Sequence, residues 1–331
     1  MPDAAVHARS IKVTASTAVE HERELPVEVA VALVYDGTTH AVMMASPTDL
    51  EDFAVGFSLS EGIVKSLAEI EGIDVVEHNE GVELRMWLAN KRGIELATRR
   101  RNIAGPTGCG LCGIESLEAV VAKLPPIVSD ATFASAEIAT AMAELPAKQA
   151  LNERTHAVHG AAFWNREQGL VAIAEDVGRH NALDKLIGAL RRRDVDVRGG
   201  MILLTSRVSV EMVQKAVMAG APVIVAVSAP TKLALETAEA AGLTLVAVAR
   251  QDGFEVFTHP ERIPEAAPPQ GKRGKPASVM IEKFATPPGT VPSEFLDLNH
   301  TSKFKMLVSL LIPKFARDAC IKVWRTSESG H

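Results

Sequence analysis

The stretch from Met201 to Ala249 alternates in a way that few folds accommodate. Short, β-rich apolar runs at Met201–Thr205, Val223–Val227 and Leu243–Ala249 are separated by two segments of helical periodicity, Ser209–Ala219 and Thr231–Ala241. Strands that are apolar along their length are buried on both faces, and a helix between successive strands supplies the crossover that parallel pairing requires. Ala172–Ala174 followed by a helical pattern over Asn181–Leu190 adds one unit upstream. The expected core is therefore α/β, with a parallel sheet covered on its faces.

The chain ahead of this core has a different rhythm. Val27–Tyr35 and Thr39–Ala45 flank Asp36-Gly37 and read as a β-hairpin. Ser46 and Pro47 look like the N-cap and first turn of a helix carrying Leu50, Phe53, Ala54 and Phe57. Ile73–Val76 and Val82–Leu88 form another expected strand pair. The divisions read from the sequence are a flexible N-terminus (1–24), an α+β subdomain (25–107), an α/β core opened by a cysteine loop (108–263) and a tail (264–331). That tail is rich in proline and basic, with 10 Lys/Arg against 6 Asp/Glu over residues 265–331.

Composition excludes several classes. Hydrophobic residues make up 47% and charged residues 23%, as in a folded globular chain, and the net charge of −6 gives no attraction to nucleic acid. No run approaches the roughly 18 uninterrupted apolar residues of a membrane span. Residues 1–20 show no apolar segment behind a basic start, so no signal peptide is expected. Three cysteines in such a chain point to a reducing compartment, the cytoplasm, where a close pair is reactive or metal-binding rather than structural.

That pair is Gly108-Cys109-Gly110-Leu111-Cys112-Gly113, ahead of an expected helix over Ile114–Lys123. A thiol near a helix N-terminus meets the positive end of the dipole, which favours the thiolate. Sulfur chemistry follows, as thiol–disulfide exchange or persulfide transfer, and the spacing alone does not separate the two. Zinc is the competing chemistry, with His156 and His159 completing a Cys109–Cys112 half-site. His78-Asn79-Glu80 also fits the H-x-E of zinc deaminases, but it falls at an expected turn rather than a helix start, and Gly108 stands where that pattern has proline.

The strand ends carry a second constellation. Glu175-Asp-Val-Gly-Arg-His-Asn181 runs from strand into helix, placing Arg179 and His180 at a helix N-terminus. Thr205-Ser206-Arg207-Val208-Ser209 and Ser228-Ala229-Pro230-Thr231-Lys232 are similar junctions, and the last strand ends at Ala249-Arg250-Gln251-Asp252-Gly253. In a parallel sheet these all fall on the carboxyl edge, where open α/β folds bind ligands. Arg179, Arg207, Lys232 and Arg250 there suggest a phosphate-bearing, nucleotide-like ligand. Each basic residue taken singly reads equally as surface charge, and Ser or Thr as an ordinary cap.

With these segments in hand, the chain resembles the FdhD family, the formate dehydrogenase accessory sulfurtransferases. The matching segments are Asp49-Leu-Glu-Asp-Phe-Ala-Val-Gly56, Cys109-Gly-Leu-Cys112-Gly113, Glu175-Asp-Val-Gly-Arg-His-Asn-Ala-Leu-Asp-Lys185, Thr205-Ser-Arg-Val-Ser209, Ser228-Ala-Pro-Thr231 and Gly253-Phe-Glu-Val-Phe-Thr-His259. They cover roughly residues 25–263, in order. The resemblance implies a cytidine-deaminase-like three-layer core without the zinc machinery, and a homodimer with no permanently bound metal. It implies a carrier that takes sulfane sulfur from a cysteine desulfurase and passes it to the molybdenum cofactor destined for the formate dehydrogenase apoenzyme. The bound substrate would be the bis-molybdopterin guanine dinucleotide form. By position the persulfide falls on Cys109, its partner on Cys112, and the cofactor-binding stretch on Val248, Ala249, Arg250, Gln251, Asp252 and Gly253. The alternative is a chaperone that binds the cofactor without moving sulfur. His156-Ala157 departs from the Gly-Gly of many members, and the tail after about residue 263 matches nothing in the family.

Overall fold

A computed structural model describes residues 3–89 and 124–267. Beyond an N-terminal hairpin, the described chain forms two sheets with helices packed between and around them.

The smaller sheet holds β3 (Val29–Tyr35), β4 (Thr38–Ala45), β5 (Ile70–His78) and β6 (Gly81–Leu88) in the order β4-β3-β6-β5. Asp36 and Gly37, both at positive φ, make the tight β3–β4 turn, as the Asp-Gly signal predicts. His78 ends β5, and Asn79-Glu80 forms the turn into β6, so the H-x-E residues sit where the sequence places them. Alternate residues Val31, Leu33, Val82, Leu84 and Met86 face helix α1 (Leu50–Ser60) and pack on Phe53, Ala54 and Phe57.

That helix starts later than the capping pattern suggests. Its N-cap is Asp49, in the left-handed region at φ 51. Ser46 is committed elsewhere: its N–H donates to the Asp176 carboxylate at 2.9 Å, and its Oγ accepts from the Val177 N–H at 3.2 Å.

The larger sheet contains β7 (His159–Asn165), β8 (Gly169–Asp176), β9 (Gly200–Leu204), β10 (Val223–Ala226), β11 (Thr244–Arg250) and β12 (Gly253–Val256), ordered β12-β11-β10-β9-β7-β8. β9, β10 and β11 are parallel, joined by α5 (Val210–Ala219) and α6 (Lys232–Ala241). α4 (Arg179–Arg192) carries the chain from β8 past β7 to β9. The sheet is mixed rather than wholly parallel. β7 runs antiparallel to both β8 and β9, and β12 folds back on β11. Four strands still point one way: β8, β9, β10 and β11.

Three layers result. Leu183 and Leu186 of α4, Met212 and Val213 of α5, and Ala234 and Ala238 of α6 bury one face of the sheet. Ile138 and Ala141 of α2 (Ser135–Glu144), with Phe133, Leu145 and Ile263, bury the other. A short helix α3 (Ala150–Thr155) precedes β7.

The N-terminus departs from the flexible segment expected over residues 1–24. β1 (Ala5–Val13) and β2 (Ala18–Pro26) form an antiparallel hairpin with Arg9 opposite Glu22 and His7 opposite Glu24. Both faces meet solvent along most of its length, so the inside–outside alternation that marks a strand is missing from its sequence. Arg154 of α3 pairs with Glu24 at 2.7 Å and Arg23 donates to the Thr155 carbonyl, which anchors the base.

Candidate functional site

Because β8 to β11 share a direction, their carboxyl ends line one edge of the larger sheet, and antiparallel β7 begins at that edge with His159. The loops there are stitched to one another. Val227 N–H donates to Leu204 O at 3.0 Å, and Thr231 N–H donates to Val208 O at 2.9 Å. Val208 also bridges to Pro230. This continues the ladder past the strands and fixes the loops as one surface.

The β8–α4 junction is held from below. Asp176 is fully buried. Its carboxylate accepts from the Gly178 N–H at 2.7 Å and the Asn181 side chain at 2.9 Å, and pairs with buried Lys185 at 2.6 Å. Lys185 also donates to the Ser46 carbonyl, and Asn181 to the Met44 carbonyl. Asp176, Asn181 and Lys185 thus tie the end of β4 to the core, leaving Arg179 and His180 half-buried at the start of α4.

His159 lies beside them. Burial, then the positive charges of Arg179 and His180, hold its imidazole below the ordinary histidine range. His180 Nε2 stands 3.7 Å from Glu211 of α5, whose carboxylate also accepts from Ser209 Oγ at 2.6 Å. Burial pushes the Glu211 carboxyl up, but His180 and Ser209 outweigh it and bring it down to about 2.

The other expected residues occupy the same edge in different ways. Ser206 is buried and donates to the Arg207 carbonyl, while Arg207 is exposed. Thr231 caps α6 by accepting from the Ala234 N–H, and Lys232 is paired with Glu236. The Val248–Gly253 stretch, expected as the end of the last strand, continues into one more strand, β12. It is a bulged β-hairpin, with the register shift falling between Ala247 and Arg250. Val248 adopts φ 53, a conformation costly for a β-branched side chain, while Ala249 is buried. Arg250, Gln251, Asp252 and Gly253 are exposed.

Cys109, Cys112 and the expected Ile114–Lys123 helix lie outside the described residues. Of the alternative zinc pair, His156 is exposed in a left-handed turn closing α3. No cluster of three or more His, Cys, Asp or Glu residues poised to hold a metal occurs among the described residues. None of the described helices is long and apolar enough to cross a membrane. Sequence reasoning missed Glu211 altogether, because an acidic residue in a helix first turn reads as ordinary dipole compensation. It considered His159 only as a zinc ligand.

Taken together, these observations describe a three-layer α/β protein whose strand ends carry Arg179, Arg207, Lys232 and Arg250 along one edge, joined to an α+β subdomain. The chain belongs to the FdhD/NarQ family, whose model matches residues 26–264. Among its relatives, the sulfur carrier protein FdhD of Agrobacterium fabrum is 52% identical over 243 residues, covering 73% of this chain and 90% of the relative. That of Brucella abortus is 54% identical over 248 residues, covering 75% and 92%. A crystal structure from Desulfotalea psychrophila, provisionally described as a formate dehydrogenase accessory protein, is 26% identical with a TM-score of 0.62. It covers 79% of this chain and all of that one.

Proposed function

We propose that this chain is a cytoplasmic sulfurtransferase that carries sulfane sulfur for formate dehydrogenase maturation. The observation that carries the reading is the family match across residues 26–264, which encloses Cys109-Gly-Leu-Cys112 together with the basic strand-end edge. Relatives named as sulfur carriers support it.

In this reading the Cys109 thiolate attacks the outer sulfur of a cysteine desulfurase persulfide. The donor S–S bond breaks, the donor leaves as thiolate, and Cys109 becomes Cys109-S-SH, with no net change in oxidation level. For delivery, the Cys112 thiolate attacks the inner sulfur. A Cys109–Cys112 disulfide forms, its two electrons leave with the outer sulfur as sulfide, and that sulfide passes to the molybdenum cofactor. The substrate is the bis-guanine-dinucleotide form, bound along Val248–Gly253 with its phosphates toward Arg250, Arg207, Arg179 and His180. Ser206 and Thr231 shape the loops that present those cations. The three layers, with four co-directional strands and an antiparallel β7 among them, support a cytidine-deaminase-like core, and we propose the homodimer that this family resemblance implies.

The test is formate dehydrogenase activity in cells lacking their own carrier. Cys109→Ala should fail to restore it while the wild type succeeds. Full restoration by Cys109→Ala, with loss in Arg250→Ala, would replace sulfur transfer with a chaperone that only binds and delivers the cofactor.

A further inference from the structure

The end of β11 carries one residue too many. Up to Ala247 the side chains alternate as those of a doubly covered strand should. Leu245 and Ala247 face the cluster under α4, α5 and α6, while Val246 faces the cluster under α2. The neighbouring β12 keeps step over this stretch, with Val246 opposite Val256 and Ala247 opposite Glu255. The next pair is Arg250 opposite Gly253, so Val248 and Ala249 together stand against the single residue Phe254. Two residues against one make a β-bulge, and its first residue, Val248, lies in the left-handed region at φ 53.

Glycine ordinarily holds that position, because a β-carbon is strained there and a branched one most of all. Such strain persists only where the surroundings over-determine it. Here they do. The half-buried Val248 side chain packs against the helix-side cluster, as that of Ala247 does. Two successive side chains therefore share one face, and the alternation resumes a step late. Ala249, 4% exposed, then falls into the α2-side cluster with Val246. A long hydrogen bond of 3.5 Å from the Val248 N–H to the Ser228 carbonyl ties the bulge to the β10–α6 loop.

The consequence falls on Arg250. An unbulged strand would put Val248 and Arg250 on the α2 side and Ala249 on the other, because a one-residue slip exchanges the faces of everything beyond it. With the bulge, Arg250 follows Ala249 onto the opposite face, the one on which α4, α5 and α6 pack. Arg179 and Arg207 belong to the loops of that face: Arg179 opens α4, and Arg207 lies between β9 and α5.

We propose that Val248 is a positioning residue of the strand-end site: its left-handed bulge sets the face of Arg250, so that this guanidinium joins Arg179 and Arg207 at the phosphate groups of the ligand. The inference rests on the reading of this edge as a guanine-nucleotide site.

The experiment is calorimetric binding of guanosine diphosphate by the full chain, with Arg250→Ala made in three backgrounds: wild type, Val248→Gly and Val248→Pro. Glycine accepts a positive φ and keeps the bulge, whereas the proline ring fixes φ at about −65° and removes it. Arg250→Ala should weaken binding about tenfold in the wild type and about tenfold again in Val248→Gly, the loss of one charge-assisted contact. In Val248→Pro the same change should weaken binding less than about twofold, because Arg250 no longer faces the ligand. A Val248 that served the fold alone would alter the starting affinity and leave the Arg250→Ala effect equal in all three backgrounds. That result would overturn the proposal, as would loss of the effect in Val248→Gly. Arg250→Ala combined with Gln251→Arg serves where Val248→Pro does not fold, since both positions are exposed. The guanidinium then leaves the chain one residue later, so affinity should stay about tenfold low; recovery to the wild-type value would contradict the proposal. Absence of binding by the wild type would instead overturn the nucleotide reading, and this inference with it.

Discussion

The Asp176-Val-Gly-Arg-His-Asn-Ala-Leu-Asp-Lys185 run serves two purposes at once, and only one was legible from sequence. Placing Arg179 and His180 at a helix N-terminus followed from the strand-to-helix reading. That Asp176, Asn181, Asp184 and Lys185 are all buried did not, because a helix pattern cannot say which polar residues turn inward against another subdomain. Their partners lie more than a hundred residues earlier, at Met44, Ser46 and Ser60. Asp176→Ala removes the counter-ion of a fully buried ammonium together with several backbone and side-chain hydrogen bonds. We expect a loss of about 3–5 kcal/mol in denaturant unfolding, against less than about 0.5 kcal/mol for Arg207→Ala on the exposed edge. Equal losses would show that Lys185 finds other partners.

Among elements, those whose two faces see different environments were readable. The β3–β4 hairpin, the β5–β6 pair and the crossovers of the core fall close to where their patterns place them. β7 was not found. Its His159-Gly-Ala-Ala-Phe-Trp-Asn165 sequence is an internal strand buried over Gly160–Trp164 and short of branched residues, so neither alternation nor propensity marks it. Missing it made the sheet look wholly parallel. The meeting of α1 and α4 was equally hidden, although two glycines make it possible. A Cβ on Gly56 would overlap the Asp184 carbonyl, and one on Gly188 the Asp52 carbonyl. Gly188→Ala should therefore run against helix propensity. The change would stabilise an exposed helix by up to about 1 kcal/mol, but here we expect destabilisation of about 1–3 kcal/mol from overpacking, read as a lower Tm. An unchanged or raised Tm would mean that the helices separate at no cost.

At the scale of the whole molecule, two sheets share one polar seam. α1 lines the small sheet on one side and meets α4 on the other, so the α+β subdomain is built onto the helices that carry the strand-end loops. The family match stops at residue 264, where the proline-rich, basic tail begins. The cysteine pair falls between the described parts of the two subdomains in sequence, after β6 and before α2. Its chemistry is read from the sequence and the family. The most direct measurement is therefore the intact mass of the purified chain after incubation with a cysteine desulfurase and cysteine, for wild type, Cys109→Ala and Cys112→Ala. A reducible gain of one sulfur atom, lost in Cys109→Ala and retained in Cys112→Ala, is the result expected of a carrier. No gain in any of the three, while the desulfurase loads a control acceptor, would contradict the account.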